Sequence, residues 1–297
     1  MELLPAWQTE VMPVFDSSRG ENDIDPRNTL NDLTAREWVA ETVSVFVQRG
    51  LGKNHKDAQI ERQHPAPFSF QDVARLISFF TKRGCKVLDP FCGVASTLKA
   101  CAITGRVGVG IDLNPIYVQL GMERLRTELG GLFPDGHNQT IVEGDALHLI
   151  ESFRDEEFDF IVTSPPYWNI LRKVDHKARQ ERIAHNLDTS YSNDQRDLGN
   201  IDSYDEFLDC LAKFFHKAAR VLRDRRYLCI IVGDFRHKDR YVMFHADLAQ
   251  RLERSHYHLK GVTILYQPHK RIFPYGYPFA YVPNIHHQYV LIFQKKG

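Results

Sequence analysis

No apolar run in the chain approaches the roughly 18 residues that a bilayer-spanning helix needs, so the sequence gives no reason to expect a membrane protein. The start, Met1-Glu2-Leu3-Leu4-Pro5, lacks the basic residues and long apolar core of a secretory signal, and a cytoplasmic location is expected. Cysteine is scarce. The five present, Cys85, Cys92, Cys101, Cys210 and Cys229, are an odd number without a C-x-x-C pair, and most sit in apolar stretches. That argues against a disulfide framework and against a zinc site, and no metal is expected. Net charge is also missing, with 38 basic against 38 acidic residues, which speaks against nonspecific coating of a polyanion. Repeats and low-complexity tracts are absent as well.

What remains is an ordinary globular composition: 297 residues, 43% apolar and 26% charged, enough for one large domain or two small ones. Neutrality conceals an uneven distribution. Residues 1–60 hold ten Asp or Glu against six Lys or Arg, whereas residues 260–297 hold five Lys or Arg and no carboxylate, leaving room for a basic face. From Lys86 onward, short runs of β-branched and aromatic residues alternate with segments of helical spacing, the pattern of an α/β domain. This predicts strands near 86–89, 108–112, 140–143, 158–163, 227–232, 260–266 and 287–294. Helices are predicted near 71–81, 96–104, 115–129, 204–222 and 241–256, with a further helix from Leu33 to Arg49 capped by Asn31 or Asp32. The expected fold is a doubly wound, mostly parallel seven-stranded sheet closed by an antiparallel final pair. Residues 1–62 read as an N-terminal extension packing on a catalytic domain at 63–297, and 169–203 as a long polar insertion.

Val87-Leu88-Asp89-Pro90-Phe91-Cys92-Gly93-Val94-Ala95-Ser96-Thr97 runs from a strand into a helix through a turn of small residues, where backbone can approach a ligand. Asp112 closes the second strand about twenty residues after the glycine, where a carboxylate can accept both hydroxyls of a ribose. Asp145 follows the third strand, placed to accept from an adenine amino group. One carboxylate at a strand end is usually a helix cap; three at successive strand ends predict a nucleoside-like ligand.

The fourth strand ends in Ser164-Pro165-Pro166-Tyr167-Trp168. Two consecutive prolines fix the backbone and remove its donors, leaving carbonyls to face a pocket beside a hydroxyl and two rings. This resembles the amino-methyltransferases of DNA that use S-adenosylmethionine, whose target-base motif is Ser, Asp or Asn followed by Pro-Pro and then Tyr or Phe. The resemblance extends over roughly residues 60–297: His64-Pro65-Ala66-Pro67-Phe68 is similar to the segment before the family's glycine loop, and His287-Gln288-Tyr289-Val290-Leu291-Ile292-Phe293 resembles its closing strand. Asn31 to Trp38 also looks like a leader found in some members.

The resemblance implies a Rossmann-like methyltransferase fold and S-adenosylmethionine as cofactor. Asp89, Phe91, Gly93, Ser96, Thr97, Asp112, Asp145 and Ala146 would hold it together with His64 and Phe68. Ser164 with Pro165 and Pro166 would hold the target amine, and Tyr167, joined by Trp168, the base. Within the family a leading Ser points to cytosine N4 and a leading Asp more often to adenine N6. In duplex DNA the base must flip out of the stack before methyl transfer. The implied partner is DNA, and a restriction endonuclease acting on the same site remains open. Two departures stand out: Ala95 replaces a second glycine common in the loop, and the cofactor segment precedes Ser-Pro-Pro-Tyr, the reverse of many cytosine-N4 enzymes.

No separate target-recognition domain is left once the strands are counted, so DNA contact is expected from insertions. Residues 170–186 carry Arg172 and Lys173 among five Lys or Arg. Residues 266–287 interleave Lys270 and Arg271 with Tyr and Phe rings and no acid, and Asp234 after the fifth strand can shape a base site or cap a turn. A cytosine carbon-5 enzyme would need a nucleophilic Cys, usually after Pro, and none follows Pro here. A dehydrogenase would need Gly-x-Gly-x-x-Gly, which is absent. Methyltransferases of RNA or protein glutamine usually begin the tetrapeptide with Asn or Asp. The alternatives left standing are an adenine-N6 DNA methyltransferase and, from another class, a nucleic-acid-binding protein with a degenerate cofactor pocket.

Overall fold

The computed structural model describes residues 24–48, 60, 69–130, 138–168, 194 and 196–297. Among them the chain runs α1 (Ala35–Glu41), β1 (Val45–Val47), α2 (Phe70–Phe80), β2 (Lys86–Asp89), α3 (Ser96–Thr104), β3 (Val107–Asp112), α4 (Pro115–Leu129), β4 (Thr140–Glu143) and α5 (Ala146–Leu149). It continues through β5 (Phe158–Thr163), α6 (Tyr204–Val221), β6 (Leu222–Val232), β7 (Phe235–His237), β8 (Arg240–Val242), α7 (Phe244–Glu253), β9 (Tyr257–Tyr266) and β10 (His287–Lys295).

The main sheet has eight strands in the order β1-β9-β10-β6-β5-β2-β3-β4. Strands β2 to β6 pair in parallel, while β10 lies antiparallel to both β6 and β9. This is the doubly wound sheet with an antiparallel closing pair that the periodicity predicts. Strand β5 is buried at every residue because both of its faces are covered. Its alternate side chains feed two cores: Ile161 packs with Phe207, Leu211, Phe214 and Leu248 of α6 and α7. Phe160 and Val162 pack with Val73, Leu76, Ile77 and Phe80 of α2. Helix starts follow their polar caps: Ser69, Asn114 and Ser203 accept from the backbone N–H of Gln71, Ile116 and Glu206. The direction changes between β2, whose successors β3 and β4 lie on one side, and β5, whose successor β6 lies on the other. In such sheets ligands bind at this switch, outside the carboxyl ends of the strands.

The segment expected to form one helix from Leu33 to Arg49 divides in two. Thr34 and Glu37 form a capping box that starts α1, which stops at Thr42. The β-branched run beyond it becomes β1, the eighth strand, added in parallel to β9 with Val45 opposite Ile264. Asn31 and Asp32 do not cap this helix; they tie it to the domain by accepting from or donating to backbone, Asn31 Nδ2 to the Phe79 carbonyl at 2.6 Å and Arg83 N–H to Asp32 at 2.8 Å. The β7–β8 hairpin was not apparent in the sequence; it takes residues 240–242 and delays the start of α7 to Phe244. Of the insertion at 169–203, residues 194 and 196–203 are described, with one 3-10 turn at Leu198–Asn200. No helix among the described residues is long and apolar enough to cross a membrane.

Candidate active site

The turn between β2 and α3 is built around Asp89. This carboxylate is fully buried and accepts from the Thr163 hydroxyl at 2.6 Å, the Thr97 hydroxyl and the Phe91 N–H at 3.1 Å. Burial raises its pKa to about 6 against the lowering effect of these bonds. Asp89 therefore clamps the ends of β2 and β5 to α3. Asp89 and Thr97, expected against a cofactor, are turned toward each other in the interior, and Ser96 is likewise buried and accepts from Arg124 at 2.9 Å. These three shape the loop from behind. The turn passes through Gly93 at φ 49° and Ala95 at φ 64°, ψ 32°. Ala95 thus adopts the left-handed conformation that glycine adopts without cost, at the position where the resembling family commonly has glycine.

Asp112 faces the turn from the end of β3. It accepts from Gly93 N–H at 2.8 Å through one oxygen and from Asn114 N–H at 2.9 Å through the other. Each carboxylate oxygen keeps acceptor capacity for a further donor. Burial, helped by the nearby charge of Asp197, raises its pKa to about 6. Asp112 lines an open cleft at the carboxyl end of the sheet. Its walls come from the carboxyl ends of four strands: Pro90 and Phe91 after β2, Asp112 to Asn114 after β3, Gly144 to Leu147 after β4, and Ser164 and Pro166 after β5. Asp145, one oxygen of which accepts from Leu147 N–H at 2.9 Å, stands on this wall beside Ala146.

The wall has members that the sequence did not single out. Tyr117 reaches it from the first turn of α4, where the Asn114 cap and Pro115 set the helix direction. Arg196, Asp197 and Leu198 close it from the end of the insertion. The readable signal there is Asp197 two residues before Gly199, whose N–H it caps at 2.9 Å.

Ser164 and Pro166 face the cleft, while Pro165 between them is buried. Tyr167 is half-buried; its hydroxyl accepts from Gln288 Nε2 at 2.8 Å, and burial raises its pKa. A Cβ on Gly233, just after β6, would come within 3.3 Å of that hydroxyl, a crowded contact that the Tyr167 side chain would have to shift to accommodate. Trp168, expected to join Tyr167 at a base, does not. It is 5% exposed, donates to the Ile201 carbonyl at 2.8 Å and packs among Tyr204, Phe235 and His237. Asp234 is also engaged internally, accepting from His245 N–H at 3.2 Å and from the Tyr241 hydroxyl at 3.2 Å, with His245 Nδ1 2.7 Å away. It caps α7 and is not on the cleft wall. Lys270 and Arg271 are exposed on the segment between β9 and β10. His64, Phe68, Arg172 and Lys173 lie outside the described residues.

A family model described as DNA methylase matches residues 14–123 and 158–297, both the cofactor-side loop and the Ser-Pro-Pro-Tyr half. Among curated relatives, the chain is 34% identical over 70 residues to the type II methyltransferase M.HpaI of Haemophilus parainfluenzae, covering 24% of this chain and 22% of that one. It is 31% identical over 108 residues to M.BglI of Bacillus subtilis, covering 36% and 28%. The aligned stretches thus span less than a third of those relatives' own lengths. Among solved structures, TrmN from Thermus thermophilus matches with a TM-score of 0.45 at 18% identity, covering 76% of this chain and 48% of that one. A TehB-like SAM-dependent methyltransferase from Corynebacterium glutamicum matches with a TM-score of 0.41 at 20% identity, covering 75% and 87%.

Proposed function

The chain belongs to the DNA methylase family, and from that premise we propose that it transfers a methyl group from S-adenosylmethionine to the exocyclic N4 amine of cytosine in DNA. The observation that carries this reading is that Asp112 and Ser164 line one cleft, so that a double acceptor and a hydroxyl on a donor-free Pro-Pro segment face the same space.

The cleft residues fit that cofactor. Asp112 has acceptor capacity for the two ribose hydroxyls, and Asp145 for the adenine amino group. Phe91, Leu113 and Leu147 supply apolar surface for the purine ring. When bound, S-adenosylmethionine supplies a methyl group on a positively charged sulfur.

Ser164 and the Pro165 carbonyl would act on the target amine. An amine conjugated to a pyrimidine ring is a weak nucleophile because its lone pair is delocalised. Two acceptors that hold its hydrogens out of the ring plane localise the lone pair and aim it at the methyl carbon. The amine gains the methyl as the carbon–sulfur bond breaks and releases one proton to solvent; no covalent bond to the protein forms. Tyr167, fixed by Gln288, would stack on the base once it has left the duplex.

The test is nucleoside mass spectrometry of genomic DNA digested after incubation with the protein and S-adenosylmethionine, beside Ser164→Ala. N4-methylcytosine that is lost in Ser164→Ala is the expected result. N6-methyladenine instead would overturn the base assignment while keeping the chemistry. Neither product, from protein that binds the cofactor, would overturn DNA as the substrate.

A further inference from the structure

Strand β10 runs antiparallel to β6, with Tyr289 opposite Val232, so the segment 267–286 that precedes it leaves the sheet at the edge where β5 delivers Ser164 and Tyr167. Its root is bonded to the tetrapeptide in series. Gln267 N–H donates to the His286 carbonyl at 2.9 Å, Gln267 Nε2 donates to Gln288 Oε1 at 3.4 Å, and Gln288 donates to the Tyr167 hydroxyl.

Beyond the root the segment is tightly built. Asn284 exchanges two hydrogen bonds with the Phe273 backbone, at 2.9 and 2.8 Å. Arg236 donates to the Pro283 carbonyl at 2.7 Å and lies 4.6 Å over the Tyr275 ring. At the tip, Phe279 and Ala280 N–H both donate to the Gly276 carbonyl at 2.7 Å. Gly276 has φ 75°, and a Cβ there would meet the Ala280 carbonyl oxygen at 2.4 Å, so the turn requires glycine.

This ordered turn holds its large rings in water: Tyr277 is 81% exposed, Phe279 94% and Tyr281 90%. Exposed aromatic side chains grouped on a built scaffold mark a contact surface. The charge around them selects the partner. From Lys260 to Gly297 there is no carboxylate, and Lys270 and Arg271 stand on the same segment, so the complementary partner is a polyanion with faces for rings to stack on. We propose that Tyr277, Phe279 and Tyr281 form a wedge that stacks into DNA at the position a base vacates, with Lys270 and Arg271 anchoring the flanking phosphates. The inference rests on the DNA reading above and adds to it the element that opens the stack.

The test compares a fluorescein-labelled duplex of mixed sequence with the same duplex carrying one abasic site, which offers a ring a ready-made gap. The parent protein is expected to prefer the abasic duplex by about fivefold or more, the lower range for one ring stacked on a base. Phe279→Ser/Tyr281→Ser is expected to lose that preference, and Phe279→Trp to keep it. Lys270→Gln/Arg271→Gln is expected to weaken both duplexes alike and to flatten the log–log salt dependence by about 1.8, the value for two phosphates.

A parent protein that methylates genomic DNA but shows no abasic preference overturns the wedge and leaves the methyltransferase reading intact. A parent protein that neither binds nor methylates DNA overturns that reading itself. A serine double variant that melts well below the parent, elutes at a different size, or loses binding to anionic vesicles but not the abasic preference shows that the rings serve the chain's own packing, self-association or a lipid surface, and also overturns the wedge.

Discussion

The carboxylate of Asp112 holds the Gly93 N–H at 2.8 Å, so the end of β3 sets the shape of the turn that follows β2. One side chain both braces the loop and faces the cleft. Asp112→Ala is therefore expected to abolish measurable S-adenosylmethionine binding by calorimetry.

The pH dependence of that binding follows from the same group. Only the ionised carboxylate can accept from two hydroxyls in addition to its two backbone bonds, and its pKa in the free protein is about 6. Affinity is expected to be flat above pH 7 and to fall by up to tenfold per unit as pH drops through 6. Asp112→Asn should bind weakly at neutral pH and lose this dependence. A parent profile that stays flat from pH 7.5 to 5 would remove Asp112 from the ligand.

Asp89 governs stability instead. Its folded pKa of about 6 lies above the ordinary 3.8, so its favourable contribution is complete below pH 3.8 and is lost as pH rises through 6. Asp89→Asn cannot ionise but gives up an acceptor that Thr97 or Thr163 uses. In urea unfolding its deficit against the parent should be larger at pH 5 than at pH 7.5. Asp89→Ala leaves two hydroxyls and one N–H to find new acceptors in the interior, and should cost about 2–4 kcal/mol at pH 5 and less at pH 7.5.

Ala95 and Gly121 form a coupled pair. A Cβ on Gly121 would meet Ala95 Cβ at 3.2 Å and Ile141 Cδ1 at 2.9 Å. Ala95→Gly relieves about 1–2 kcal/mol of left-handed strain and forfeits about 0.8 kcal/mol of methyl burial, so the melting temperature should barely move. Gly121→Ala alone gains helix propensity of roughly 1 kcal/mol but is crowded, and should destabilise. Combining the two should recover about 0.5 kcal/mol or more beyond additivity in a double-mutant cycle. Strict additivity would mean that the methyl of Ala95 is not what fills the space beside Gly121.

Much of this architecture was legible because short apolar runs alternate with segments of helical spacing from Lys86 onward, and the strands lie close to where those β-branched and aromatic runs place them. The first strand was hidden because Val45-Phe46-Val47 follows a capped helical start without Gly or Pro between, and only pairing with β9 decides its conformation. In the site, Asp112, Asp145 and Ser164 were readable because strand ends point at the cleft in this sheet. Arg196, Asp197 and Leu198 were not, because they reach the same wall from far along the chain, after an insertion with no periodicity to place it; Asp197 before Gly199 signals a turn but not where the turn lies. Asp89 and Thr97 lie in the right loop and face the wrong way for a ligand, and spacing alone carries no information about direction.

Tyr167 and Trp168 put that limit to experiment, because they are adjacent rings with opposite surroundings. Trp168 is enclosed by Tyr204, Phe235 and His237 and bonded to Ile201, so Trp168→Ala should cost about 3–5 kcal/mol in urea unfolding. Trp168→Phe should recover most of that. Tyr167 is half-buried beside the cleft residue Pro166 and is held by Gln288. Tyr167→Ala should leave more stability than Trp168→Ala while raising the KM for DNA about tenfold, the loss of one ring stacked on a base. Tyr167→Phe keeps the ring and gives up the hydroxyl's bonds to Gln288 and the Gly233 backbone, neither of which touches the base, so its KM should stay within about threefold of the parent. If Tyr167→Ala kept the parent's KM for DNA while S-adenosylmethionine still bound, the ring would be packing for the Pro-Pro segment and the base would stack elsewhere.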